Sequence, residues 1–464
     1  MSGASLALRL AATGQLRRFD VGGRPVRIGF FAPLTGPAQT WGLPGLLGCE
    51  IWADWINRAG GLLVGGRRHP VELVPFDAGA STGEAQAAVR ALIGSGDLAF
   101  LLALGGEPLG ALLPLLTRTK TLAATLLPSD LSPDTPYLIA PSEIHPLYTV
   151  TAVDWLARNR PHLRRVALCT QEDAVGTPAR AAYRAAFRAA GWQLTADLPY
   201  DPVTGDAEAL VAAMLASDPQ ILCWGTSTQP MVHALSEAAF RAGFKGQILS
   251  CTIDDYPRLI ARTSAAFLQG ALFQFPDFDD PALADRPFYF HRPAEFFADY
   301  NRRFPGRWSA VSWEYVAALD IWQAAVEAAG TTAAPSVLAA MKRAGRTETI
   351  FGAADWRGQE LFGIAHALVG DWPVVQIDRG RARIVAFGSI PDWLSRHRGL
   401  MIEEMTALGQ MWHQRAGRGA VTGPVTGAAT GAATGAAESA PASPSRDDRS
   451  LPSPEAAGLP PSGR

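Results

Sequence analysis

The sequence predicts an α/β protein of two Rossmann-like lobes, each built on a parallel sheet. Three observations carry this reading. Short apolar runs alternate with longer amphipathic ones from Arg27 to Ser250, the rhythm of βαβ units. The alternation falls into two series, separated near Pro146, each long enough for its own sheet. The chain also has 464 residues, more than one ordinary core accommodates.

In the first series the predicted strands are Arg27–Phe31, Val71–Phe76, Leu98–Ala103 and Leu122–Leu127. The predicted helices between them are Leu46–Arg58, Thr82–Ile93 and Gly110–Thr117. The second series reads helix Leu147–Ala157, strand Val166–Cys169, helix Thr177–Ala190, strand Leu194–Pro199 and helix Asp206–Ala216. Strand Ile221–Trp224, helix Pro230–Ala242 and strand Gln247–Ser250 complete it. Beyond it, Gly270 to Pro276 reads as a strand ended by proline, followed by helices at Pro293–Phe304, Ser312–Ala329 and Ala334–Arg343. In the second of these helices Val316, Leu319, Trp322 and Val326 step by three, three and four, which puts them on one buried face. Trp322 is therefore core, and Trp313 is expected to pack beside it. The stretch from Phe351 to Phe387 reads as a strand, a turn and a further pair of strands.

Composition narrows the function classes. Charged residues make up 18% and hydrophobic residues 48%, which suits a folded globular chain. A net charge of −2 gives no field that favours nucleic acid or an anionic membrane. Cys49, Cys169, Cys223 and Cys251 have no metal or redox spacing, and packed apolar thiols are the expectation. The apolar run Leu98 to Leu116 is interrupted by Gly105, Gly106, Glu107, Pro108 and Gly110, so strand, loop and helix explain it better than a membrane span. After Gln414 a Thr-Gly repeat at Thr422, Thr426, Thr430 and Thr434 passes into Ala, Pro and Ser, which predicts a disordered tail over 416–464. The first twenty residues have no basic residue before their apolar run, and Arg9 splits that run, so no export signal is expected there.

Motifs of catalysis are absent: no HExxH, no G-x-S-x-G, no Walker A loop and no G-x-G-x-x-G after a strand. The adjacent pairs Glu172-Asp173 and Asp254-Asp255 point apart in extended or loop chain, and the histidines have no ligand spacing, so neither a metal nor a cofactor is expected.

One ordered pattern carries a family resemblance. It consists of Pro33-Leu34-Thr35-Gly36, Ala38, Trp41-Gly42, Ile56-Asn57, Gly60-Gly61 and Asp77, set on strand, helix and strand. It resembles the opening of the type I periplasmic binding proteins, the branched-chain amino-acid and amide binders, including cytoplasmic amide-sensor relatives. Phe351-Gly352-Ala353-Ala354 onward resembles that family's returning segment, and Tyr315, Ala317 and Ala329-Gly330 resemble one of its helices. The resemblance spans roughly Val26 to Ile390 and implies the type I binding-protein fold, two lobes with parallel sheets joined by a three-strand hinge. It implies an N-terminal extension over 1–25, a first lobe of 26–145 plus 273–345, a second lobe of 146–272 plus 346–390, and a C-terminal helix over 391–415.

The resemblance also implies a ligand cleft between the strand ends of the two lobes. On the first lobe the expected contacts are Trp41, Gly106, Glu107, Thr125 and Ser129. Trp41 either stacks on a ligand or wedges against the hinge. Glu107 either receives an amine or amide N–H or complements a helix dipole. Thr125 and Ser129 either bind ligand or serve as a strand-end threonine and a turn or cap serine. The loop around Glu107 has no hydroxyl where amino-acid binders offer one. On the second lobe Asp173, Thr226, Ser227 and Asp254 are the expected contacts, with Val175 standing where relatives often have an aromatic. The implied function is a non-enzymatic solute-binding protein of an ABC-type transporter that closes on an amino acid, amide, urea or small aromatic acid. A cytoplasmic ligand-sensing regulator is the alternative. Its partners would be the small ligand and either permease subunits or a regulated protein, with no nucleic acid and no membrane insertion. The family resemblance implies a periplasmic location; with no export signal at the N-terminus, either the true start lies elsewhere or the protein stays in the cytoplasm.

Overall fold

Strands with both faces covered by helices read as near-continuous apolar runs, and the two longest such runs seed the two sheets. The computed structural model describes residues 24–142, 145–286 and 292–415. The expected extension up to residue 23 and the expected tail over 416–464 lie outside the described residues.

In the first sheet β1 (Val26–Ala32) is central and buried along most of its length. It pairs in parallel with β2 (Val71–Asp77) on one side and β3 (Leu98–Ala103) on the other. β4 (Ala123–Thr125) and β5 (Leu138–Ile139) extend the sheet beyond β3, giving the order β2-β1-β3-β4-β5. The direction of winding therefore reverses between β1 and β3. At such a switch point the loops leaving the two strands part, and a crevice opens at their carboxyl ends. Leu98–Leu116 resolves into β3, a one-turn segment at Glu107–Gly110 and the start of α3 below. No helix among the described residues is long and apolar enough to cross a membrane.

The second sheet repeats the scheme. β6 (Arg165–Gln171), β7 (Gln193–Tyr200), β8 (Ile221–Trp224), β9 (Gln247–Ser250) and β10 (Leu272–Phe273) are parallel in the order β7-β6-β8-β9-β10. Four further strands depart from the parallel pattern. β11 (Arg346–Thr349), β12 (Gly352–Arg357), β13 (Ala367–Asp378) and β14 (Arg381–Ser389) are antiparallel, and β13 joins this group to β10. The connections explain it. A turn at Arg379-Gly380, both at positive φ, joins β13 to β14, and a link so short can only join antiparallel strands.

The helices are α1 (Leu43–Arg58), α2 (Thr82–Gly94), α3 (Leu113–Thr119), α4 (Thr149–Asn159), α5 (Gly176–Ala189), α6 (Ala207–Leu215), α7 (Gln229–Arg241), α8 (Tyr256–Arg262), α9 (Pro293–Arg303), α10 (Val311–Ala329), α11 (Ala334–Arg343) and α12 (Ile390–Ala407). They come in the predicted order except that α8, about two turns long, has no predicted counterpart. α9 and α10 pack on α1 of the first sheet, whereas α12 packs on α5 of the second. Arg184 and Arg188 of α5 bind the Glu404 carboxylate of α12 at 2.6 and 2.8 Å. The chain thus passes between the sheets near Ala140, between β10 and α9, and between α11 and β11. At the first passage Ala140 donates its N–H to the His366 carbonyl and accepts from Leu368 N–H, both at 2.9 Å, which ties the end of the first sheet to β13. All four cysteines are buried and free, in line with their reading as packed apolar thiols.

The contact of α1 with α10 leaves no room for a side chain at two positions of α1. A Cβ at Gly48 would lie 2.0 Å from the Ser312 carbonyl oxygen, and one at Gly45 would lie 2.2 Å from the Tyr315 ring. Only glycine fits at both. The predicted stripe of α10 is fully buried, with Val316, Leu319, Trp322 and Val326 at 0% exposure. Trp322 stacks on Phe100 of β3 at 5.1 Å between ring centroids. Gly48→Val is expected to lower the free energy of unfolding by about 2–3 kcal/mol, because backbone cannot yield to the added carbons. Urea denaturation measures it, and a loss below about 0.5 kcal/mol would contradict this packing.

Candidate functional site

The loops leaving β1, β3 and β4 form one cluster at the crevice of the first sheet. Pro33-Leu34-Thr35-Gly36 is held by Asp77 at the end of β2. Leu34 N–H and Gly79 N–H donate to Asp77 Oδ1, each at 2.8 Å, and Thr35 Oγ1 donates to Oδ2 at 2.6 Å. Burial works against ionising Asp77, but these hydrogen bonds outweigh it and hold the carboxyl below its usual range. A 3₁₀ turn at Pro37–Trp41 follows. Trp41 is half-buried there, and its carbonyl accepts the Tyr315 hydroxyl of α10 at 3.0 Å.

Gly105 and Gly106, at φ 111° and 75°, turn the chain in a way that side chains disfavour. A Cβ at Gly105 would lie 2.3 Å from Asp130 Oδ2 and 2.4 Å from Thr125 Oγ1. The space is taken by a bonded group: Gly106 N–H donates to Asp130 Oδ2 at 3.0 Å and Thr125 Oγ1 donates to it at 2.8 Å. Thr125 Oγ1 also accepts Leu127 N–H at 3.0 Å. Burial pushes Asp130 up to about 6 against these bonds. Sequence reasoning gives Asp130 no role. A Gly-Gly pair opposite a strand-end threonine and an acidic residue five positions on was the available signal. Ser129 is half-buried in the turn Pro128–Asp130, and Glu107 is exposed at the start of its one-turn segment.

On the second lobe Asp173 accepts from Val175 N–H and Gly176 N–H at 2.9 and 2.7 Å, capping α5, and from Gln171 Nε2 at 2.6 Å. Thr226 Oγ1 meets His145 Nε2 at 3.0 Å, and Ser227 Oγ accepts the Tyr200 hydroxyl at 2.6 Å. Burial pushes His145 down to about 3, so it is neutral. Thr170 Oγ1, Gln171 Oε1 and His145 Nδ1 are buried at these strand ends with no hydrogen-bond partner. The two loop clusters meet, since a Cβ on Gly106 would lie 3.5 Å from the Ala174 Cβ. The lobes are therefore drawn together at Gly106 and Ala174.

Asp254 stands apart from both clusters. Its Oδ1 accepts Ala310 N–H at 2.8 Å, at the amino end of α10, so a second-lobe carboxylate caps a first-lobe helix. Beside it lies a cavity of about 250 Å³. Its polar lining is Asp254, Asp255, Asp277, Asp279, Asn301 and Arg381, and Phe275, Phe297 and Trp308 supply aromatic walls. Tyr256 donates its hydroxyl to Asp277 Oδ2 at 2.8 Å, and Arg381 pairs with Asp279 at 2.9 Å. Burial pushes both Asp254 and Asp277 up to about 6. Asp255 adopts the left-handed conformation at φ 50°, at the start of α8. No cluster of His, Cys, Asp and Glu suited to a metal occurs among the described residues. Such an arrangement can enclose a small molecule and offer it acceptors, with fewer donors.

A family model described as Periplasmic binding protein matches residues 25–382. Among solved structures, a leucine-binding protein from Thermotoga maritima aligns with a TM-score of 0.64 at 19% identity, covering 79% of this chain and 99% of its own. A solute-binding protein of an ABC transporter from Rhodopseudomonas palustris HaA2, solved in complex with p-hydroxybenzoic acid, aligns at 0.65 and 17% identity, covering 80% and 99%. An ABC transporter substrate-binding protein from Sphaerobacter thermophilus aligns at 0.62 and 18% identity, covering 79% and 98%. No curated protein sequence matches the chain.

The raised Asp254 sets a pH dependence of defined sign. An unfolded aspartate titrates near 3.9, so between about pH 4 and 6 the unfolded chain has lost a proton that folded Asp254 keeps. Its contribution to stability therefore falls as pH rises through that window and is constant above it. Asp254→Asn, which can still accept from Ala310, is expected to gain about 1–3 kcal/mol on the wild type between pH 4 and 7. Urea midpoints at each pH measure the difference, and one that stays flat would show that Asp254 titrates as an exposed carboxyl.

Proposed function

The chain belongs to the periplasmic binding protein family, and on that premise we propose that it is a solute-binding protein whose lobes close on a small neutral or cationic polar molecule for an ABC-type transporter. The carrying observation is the Asp254–Ala310 bond, made between the lobes at the wall of a 250 Å³ cavity. A group that links the lobes only when they are together favours closure, and a ligand held beside it adds to the same equilibrium. Trp41, Gly106, Glu107, Thr125, Ser129, Asp173, Thr226 and Ser227 form the opposing faces of the cleft in this reading. Asp254 is the member that meets the ligand in the cavity. The role is binding and release, without turnover.

The lining argues for the ligand class. Four aspartates face one arginine in the cavity, so an anionic ligand would meet net repulsion, whereas N–H groups would find acceptors. An amide, urea or an amine with an apolar body fits these walls better than an aromatic acid, even though structural relatives include a p-hydroxybenzoate complex. A ligand-sensing regulator would use the same closure and differ in the protein that reads it, and in its compartment. Cell fractionation separates delivery, which places the protein outside the cytoplasm, from regulation, which keeps it inside.

Thermal-shift measurements with propionamide, urea, leucine, benzylamine and 4-hydroxybenzoate test the ligand class. Amides or amines are expected to raise Tm and 4-hydroxybenzoate to leave it unchanged. Asp254→Ala is expected to weaken the stabilising ligand at least about tenfold. A Tm rise with 4-hydroxybenzoate alone would overturn the assignment.

A further inference from the structure

The hinge contains a second cavity. Ser142, beside the first passage between the sheets, forms one wall. Trp313, Ala317 and Asp320 form another, and Phe351 and Trp372 of the returning segment close it. Positions 313, 317 and 320 are spaced four and three apart, so they share one face of α10. The cavity measures about 30 Å³, room for about two water-sized centres at roughly 10–15 Å³ each. Exposed Asp371 stands at its rim.

Three polar atoms of this lining have no hydrogen-bond partner: Asp320 Oδ2, Trp313 Nε1 and Ser142 Oγ. Asp320 and Trp313 are each only 1% exposed, so water at the surface does not satisfy them, and buried polar groups are rarely left unpaired. The other Asp320 oxygen accepts the Trp52 indole N–H at 3.0 Å. No cation stands in the lining to stabilise a charge, so burial holds the Asp320 carboxyl well above its usual range and favours the protonated form. Its free oxygen then carries a proton. Two donors, the acid O–H and the indole N–H, thus line one small space with a hydroxyl that can serve either way.

We propose that this hinge cavity is a binding site for the oxygen-bearing head of a small uncharged molecule, an amide or an alcohol, and that its occupancy biases the hinge. Two donors call for an acceptor. No cation lines the space, so an anionic head would be buried without a partner, and an ammonium would face donors. The aromatic walls suit a short apolar body behind the head. Because the walls come from the first passage, from α10 and from the returning strands, a change in hinge angle changes the width of the cavity. A molecule that fits one width shifts the lobes toward the matching angle.

Trp313 and Trp372 line the cavity, whereas Trp308 lines the one beside Asp254, so propionamide is titrated into the full chain carrying Asp254→Ala, which weakens the cleft site, while tryptophan fluorescence is followed. A saturable change is expected with positions 142 and 317 unaltered. Ala317→Leu, which fills the space from α10, is expected to abolish it. Ser142→Ala, which removes one oxygen and no packing, is expected to weaken it about five- to tenfold. This second variant keeps the test readable if the leucine disturbs the helix. A crystal structure in propionamide should show the amide oxygen facing Asp320 and Trp313. A response that does not saturate, one indifferent to both substitutions, or a cavity holding ordered water alone would overturn the proposal. None of these readouts depends on a ligand in the cleft, so failure of the cleft assignment leaves this test standing.

Discussion

The arrangement of the chain depends on the close approach of α1 and α10. Gly45 and Gly48 remove the side chains that would hold the helices apart, and the α10 backbone at Ser312 takes their place. That contact binds residues 293–343 to the first sheet although β10 has just completed the second. The chain must then cross again to form β11 to β14. Two passages would make a simple linker, but three passages side by side make a hinge whose axis they share. The Trp52–Asp320 bond lies in the same interface, so the helix pair that dictates the topology also carries a buried acid of the hinge.

α10 is also the rod that connects the two cavities. Its amino end receives Asp254 from the opposite lobe, and the turns after it line the hinge space. The helix is buried along most of its length, so both cavities are walled by one packed element. Asp254 at the cleft and Asp320 at the hinge are both kept from ionising easily by burial. Their surroundings differ. Asp254 has a backbone N–H aimed at it and like charges beside it, whereas Asp320 has an indole and apolar neighbours.

Much of this fold was legible in the sequence because apolar strands and amphipathic helices have different periods. Leu98–Ala103, Ile221–Trp224, Gln247–Ser250 and Ala334–Arg343 occupy the predicted positions. What escaped was short or set by long-range pairing. The hairpin strands Leu62–Val64 and Arg67–His69, and β5, have two or three residues each, too few to show a period. β11 exists only because β12 offers it a partner. The antiparallel return was equally hidden, since strand direction depends on which neighbour a strand finds. The candidate site was legible as a set of loops and not as contacts. Thr125 and Asp173 sit in the predicted loops, yet their oxygens are engaged by Asp130, Leu127 and the amino end of α5. Hydroxyls and carboxylates look alike in sequence whether they serve the backbone or a ligand.

That distinction decides how the cleft should be understood. Gly106 and Thr125 spend their donors on Asp130, so the first lobe meets the second with a satisfied loop and few donors to offer. Across from it Thr170, Gln171 and His145 keep polar atoms without partners. The cavity beside Asp254 adds carboxylates and aromatic walls. The departure of the Glu107 loop from the amino-acid pattern, a missing hydroxyl, then has a physical counterpart. A loop whose donors are spent on Asp130 has little with which to hold a carboxylate, and the acceptors gathered at Asp254 and Asp277 suit the opposite partner. On the proposed reading, selectivity in this cleft is therefore set chiefly by the second lobe and the segment that follows β10. The first lobe supplies the helix end against which it closes.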